Sequence, residues 1–75
     1  MLILNQAIFQ NTIFKVAEFE NCVLKNCQFI NCNLSEADFT EIIFNECTFL
    51  KSGFDNAVFE SCHFMKPIFE GVKGG

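Results

Sequence analysis

Between Leu4 and Phe69 every fifth residue is leucine or phenylalanine, fourteen positions in succession without a slip in register. All 11 phenylalanines of the chain belong to this series. Neither common secondary structure can use a strict period of five. A helix advances about 100° per residue, so each step would rotate about 140° and scatter the large side chains around the axis. A flat strand alternates faces, so every second phenylalanine would meet water. All fourteen stay on one side only if the chain turns once per repeat, always in the same direction. That is a solenoid, in which each short segment buries its apolar residue against neighbouring coils.

A second regular position supports the solenoid. Two residues before each large one stand Ala7, Thr12, Ala17, Cys22, Cys27, Cys32, Ala37, Ile42, Cys47, Ser52, Ala57, Cys62 and Pro67, all small except Ile42 and Pro67. Residues two apart on a strand share a face, so a large and a small side chain can both point inward.

Small-polar-large-polar-polar is the consensus of the pentapeptide-repeat family, and the chain resembles it over about residues 2 to 71. Ala37-Asp38-Phe39-Thr40-Glu41 and Ala57-Val58-Phe59-Glu60-Ser61 are close matches. The resemblance implies an all-β fold, a right-handed quadrilateral parallel β-helix with four repeats per coil and about three and a half coils. A twenty-residue echo agrees with four repeats per coil: Ala17, Ala37 and Ala57, and Ile3, Val23 and Ile43. Residues 1–71 are expected to form the β-helix and residues 72–75 a flexible tail.

A chain of 75 residues forms one small domain, for which burial is ordinarily marginal. The 51% hydrophobic content, with phenylalanine in place of Trp and Tyr, offsets this. Coils stacked about 4.8 Å apart would let the rings stack in an offset manner. No apolar run approaches the roughly 20 residues of a membrane helix, and the start has neither the basic region nor the apolar core of a signal peptide. These features point to a cytoplasmic protein without membrane contact.

The five cysteines all occupy the small inward position. With twenty residues per coil, Cys27 and Cys47 would stack about 4.8 Å apart, within disulfide range. Cys22, Cys27 and Cys32 would line three walls of one coil, which superficially suggests zinc. Packing is the favoured reading, because the same position elsewhere takes Ala, Ser or Thr with no chemical pattern. There cysteine behaves as a small hydrophobe. An odd cysteine count also argues against a complete disulfide framework. No metal or cofactor is expected.

The outward residues sort by wall. One wall displays Glu18, Glu20, Asp38, Glu41 and Glu60 and no lysine, with Glu36 at the adjoining corner. The next displays Ile3, Val23 and Ile43, with Met65 near its end, and Ile8, Ile30, Leu50 and Ile68 face outward from the wall after that. The apolar column is either a set of good strand formers or a contact site. The acidic wall is either a solubilising face or a recognition surface. Both ends of the rod are expected to expose phenylalanine-filled cross-sections and open strand edges. They call for neighbouring β-helix coils or an end-to-end second copy.

Catalysis has little support. His63 is the lone histidine, and no serine or carboxylate can be paired with it from the sequence. Gly53 stands alone and Gly71, Gly74 and Gly75 lie in the expected tail, so there is no glycine-rich phosphate loop. Five lysines, no arginine and net charge −4 oppose direct nucleic-acid binding, which needs a positive surface. The expectation is a non-catalytic structural or protein-binding module acting through its outer walls. Family resemblance implies an alternative, a DNA mimic that binds gyrase or another type II topoisomerase and gives quinolone protection.

Overall fold

The computed structural model describes residues 1–74 and is built of parallel strands alone. They are β1 (Leu2–Asn5), β2 (Ile8–Gln10), β3 (Glu18–Lys25), β4 (Gln28–Ile30), β5 (Asp38–Asn45), β6 (Thr48–Leu50), β7 (Val58–Glu60), β8 (His63–Met65) and β9 (Ile68–Glu70). One sheet runs β1-β3-β5-β7, with β8 also on β5, and the other runs β2-β4-β6-β9. Every pairing joins residue n to residue n+20, as in Phe19↔Phe39↔Phe59 and Phe9↔Phe29↔Phe49↔Phe69. A coil therefore takes twenty residues, or four steps of the five-residue repeat. The series Ile3, Val23, Ile43, His63 makes about three stacked turns of a β-solenoid.

The period of five has a backbone cause beyond side-chain packing. Two residues after each large one, the chain adopts a left-handed conformation, at thirteen non-glycine positions from Gln6 to Lys66 and then at Gly71. One such residue per repeat turns the strand through its corner. Asparagine tolerates this region best among residues with a Cβ, and Asn11, Asn21, Asn26, Asn31 and Asn56 all stand there. Their recurrence is the sequence signal that marks the corners.

Inside, the rings form columns. Phe19, Phe39 and Phe59 stack with centroids 4.8 Å apart and planes within 3°. Phe9, Phe29, Phe49 and Phe69 stack at 4.9, 4.9 and 5.1 Å. Neighbouring columns meet edge to face, Phe44 lying 5.7 Å from both Phe39 and Phe49 at 63°. Both geometries suit the ring quadrupole. Burial is complete in the middle coil, where Phe39, Phe44 and Phe49 are 0% exposed, and it fades to 51% exposure at Phe69.

At eight of the thirteen inward positions the residue type follows a chemical pattern that the sequence-based expectation did not include. It depends on how each corner satisfies the carbonyl of its large residue. At Phe14, Leu34 and Phe54 that carbonyl accepts from the backbone N–H of Ala17, Ala37 and Ala57, at 3.0, 3.2 and 3.0 Å. The turn closes on itself, and alanine, with no side-chain donor, suffices. At Leu4, Phe9, Leu24, Phe29 and Phe39 the carbonyl accepts instead from a side chain of the next coil. The donors are Cys27, Cys32, Cys47, Ser52 and Cys62, at 3.6, 3.2, 3.1, 3.3 and 3.3 Å. Each thiol or hydroxyl thus ties one coil to the coil before it.

The ladder also runs further than the expected boundary at residue 71. Val72 packs against the core. Lys73 bridges Gly53, accepting from Phe54 N–H and donating to Ser52 O. Two residues assigned to the tail are thus held by the solenoid, because their backbone groups meet the open edge of the preceding coil. Gly75, the end of that expected tail, lies outside the described residues.

Candidate protein-binding surfaces

Because the register is twenty, outward side chains form columns along the stacking axis, and the columns decide which of the expected wall residues meet. Ile3, Val23 and Ile43 are direct partners on successive coils. Ile3 is 64% exposed, while Val23 and Ile43 are half-buried between neighbours. The column continues into His63, not Met65. Met65 stands two residues along the same strand, over Asn45. It keeps the outward face but joins the column of Asn5, Lys25 and Asn45.

The acidic residues divide likewise. Glu18 lies over Asp38 and then Val58, and Glu20 over Thr40 and then Glu60. Two columns on one wall therefore carry carboxylates interrupted by one threonine and one valine. Thr40 donates its hydroxyl to Asp38 at 3.1 Å. Glu41 occupies the left-handed corner between this wall and the apolar column. On the following wall the four apolar residues do not form one column, and only Ile30 and Leu50 are direct partners. Ile8 and Ile68 are separated by Gln28 and Thr48, while Ile30 and Leu50 occupy the column of Gln10 and Glu70.

Two concavities accompany these faces. One, of about 350 Å³, is lined by Met1, Asn21, Glu41, Ile43, Ser61 and His63. It places Glu41, from the preceding coil, on the same concavity as Ser61 and His63, a carboxylate that linear spacing hides because it stands on a different coil. The other, of about 220 Å³, lies on the exposed face of the last coil among Phe54, Phe59, Phe64, Phe69, Val72 and Gly74. Gly74 falls on the next five-residue step, where a large residue would extend the column of Phe54.

The cysteine thiols are free and occupied as donors to backbone carbonyls. Burial pushes the Cys47 thiol above its ordinary value, which keeps the proton it donates to Leu24 O. Among the described residues, no three His, Cys, Asp or Glu side chains gather where they could share a metal ion. No helix among them is long and apolar enough to cross a membrane.

Two family models match, one described as a pentapeptide repeat region over residues 22–75 and one as pentapeptide repeats over residues 4–34. No curated protein matches the chain. Among solved structures, full-length QnrB1, a plasmid-mediated fluoroquinolone resistance protein, aligns over 80% of this chain at 21% identity with a TM-score of 0.38. The matched region is 33% of QnrB1, so the chain spans about a third of that relative. Rfr23, a pentapeptide repeat protein from the cyanobacterium Cyanothece 51142, aligns over 97% of this chain and 88% of its own at 10% identity with a TM-score of 0.33. With a family model covering well over half of a chain whose strands pair at four repeats per coil, the protein belongs to the pentapeptide-repeat family.

Proposed function

We propose that this protein is a non-catalytic, cytoplasmic binding module that holds a protein partner through its outer walls. The observation behind it is the in-register column of Ile3, Val23 and Ile43, apolar side chains placed outward on three successive coils. Scattered surface apolar residues need no explanation, but an aligned set marks a contact face. The same fold disfavours chemistry, since it commits the rings of its middle coil to the core and its inward thiols to carbonyls. The double variant Val23→Lys/Ile43→Lys tests this directly. Partner recovery by cross-linking and sedimentation should be lost in the variant while its circular dichroism is unchanged. Recovery and oligomeric state equal to wild type would overturn the proposal. The exposed rings of Phe59, Phe64 and Phe69 offer a second contact, for neighbouring β-helix coils or an end-to-end copy.

A second reading, DNA mimicry toward gyrase, draws support from the carboxylate columns of Glu18, Asp38, Glu20 and Glu60. A supercoiling assay with purified protein decides it. Protection that disappears in a Glu18→Lys/Asp38→Lys/Glu60→Lys variant supports mimicry, and no effect of the wild-type protein removes it.

A further inference from the structure

The larger concavity has a direction. Met1, Asn21, Glu41 and Ser61, which line it, are successive twenty-residue steps of one corner, so the groove runs along the stacking axis and not around the coil. Its two flanks differ. On one side stand Ile43 and His63, continuing the apolar column from Val23. On the other stand Glu20, Thr40 and Glu60, and Glu41 projects from the corner itself. Across residues 16–23, 36–43 and 56–63 the outward positions contain no lysine. An apolar stripe and an acidic stripe thus lie side by side, both parallel to the rod.

We infer that this groove takes an amphipathic α-helix of a partner protein, with an apolar stripe on Ile43 and Val23 and an adjacent lysine or arginine stripe on Glu41, Glu20 and Glu60. This rests on the protein-binding reading above and specifies the occupant. Charge selects a basic partner, and repeat length selects a helix. Successive coils are 4.8 Å apart, judged from the Phe19, Phe39 and Phe59 centroids. A helix laid along the axis repeats every 5.4 Å, so over two coil steps it drifts by only about 1.2 Å, within the reach of a lysine. An extended strand places same-face side chains about 6.6 Å apart and drifts by about 3.6 Å over the same span. One turn of helix therefore meets one coil.

The test uses the purified 75-residue chain and a synthetic alanine-based peptide of about five helical turns, bearing one leucine stripe beside one lysine stripe. A scrambled peptide of the same composition and an extended, proline-interrupted lysine–valine peptide serve as comparators. Calorimetry should show saturable one-to-one binding of the striped helix, weakened at least tenfold by scrambling and further by raised salt. Ile43→Lys and Glu41→Lys should each weaken it at least tenfold, whereas Gln10→Lys, which adds a positive charge on a different wall, should leave it unchanged. Circular dichroism verifies that each variant is folded. Absence of saturable binding, equal binding of the scrambled peptide, or equal loss in Gln10→Lys would overturn the inference. Preference for the extended peptide would overturn the helix alone and leave the broader binding proposal standing, since that proposal falls only on its own partner-recovery test.

Discussion

At the scale of single residues, the corners concentrate the strain of the fold. Val16 takes φ +65° while 60% exposed. A β-branched residue is among the least tolerant of the left-handed region, and the Cβ clash there is worth roughly 1–2 kcal/mol. Asparagine serves the same corner position five times, so Val16→Asn should stabilise the protein by about 1 kcal/mol in urea denaturation. The inward thiols make a second residue-scale statement. Cys47→Ala removes the donor to Leu24 O inside a fully buried site and should cost about 1–3 kcal/mol. Cys47→Ser keeps a donor, as Ser52 does toward Phe29 O, and should cost measurably less. Equal losses in the two variants would show that volume, not the hydrogen bond, sets the preference.

The Cys47 thiol also fixes a direction for pH dependence. Its value is raised in the fold, above all by desolvation, so between the unfolded and folded values the native state holds more protons than the unfolded chain. Its contribution is complete below the ordinary value of 9.0 and is lost as pH rises through the folded value. Denaturation midpoints should therefore decline above pH 9, and less steeply in Cys47→Ser.

At the scale of elements, a ring's worth depends on the coils that cover it. Phe39 lies between Phe19 and Phe59 and is 0% exposed, so Phe39→Ala should cost about 3–5 kcal/mol. That is enough to unfold a domain of this size. Phe69 has the same repeat position but stacks on Phe49 alone and is 51% exposed. Phe69→Ala should cost less than half as much, measured by the same denaturation curve. The repeat makes these two residues equivalent in sequence, and only the stacking distinguishes them.

At the scale of the whole molecule, each coil touches only its neighbours, and stability is close to a sum of coil and interface contributions. Protection should therefore grade along the axis. Amides of β5 and β6, covered on both sides, should exchange most slowly, and those of β7, β8 and β9 fastest after the first coil. Uniform protection by hydrogen exchange would contradict this and indicate a contact that covers the last coil.

The solenoid was legible in the sequence because a period of five is compatible with neither helix nor flat strand, and the outward columns followed from the twenty-residue echo of Ile3, Val23 and Ile43. The same echo carries the apolar column to residue 63 and not to Met65, as the pairing of Ile43 with His63 shows. Other features needed the tertiary structure. The same pairing sets Glu41, Ser61 and His63 around one groove. The division of the small positions into alanine and thiol or hydroxyl corners had its signal in Ala17, Ala37 and Ala57. Its cause lay in which carbonyls a coil leaves for the next to satisfy. Side-chain period is a property of the chain alone. The partner of a carbonyl, the exposure of a ring and the neighbours of a corner belong to the stack, and they are decided only when one coil lies on another.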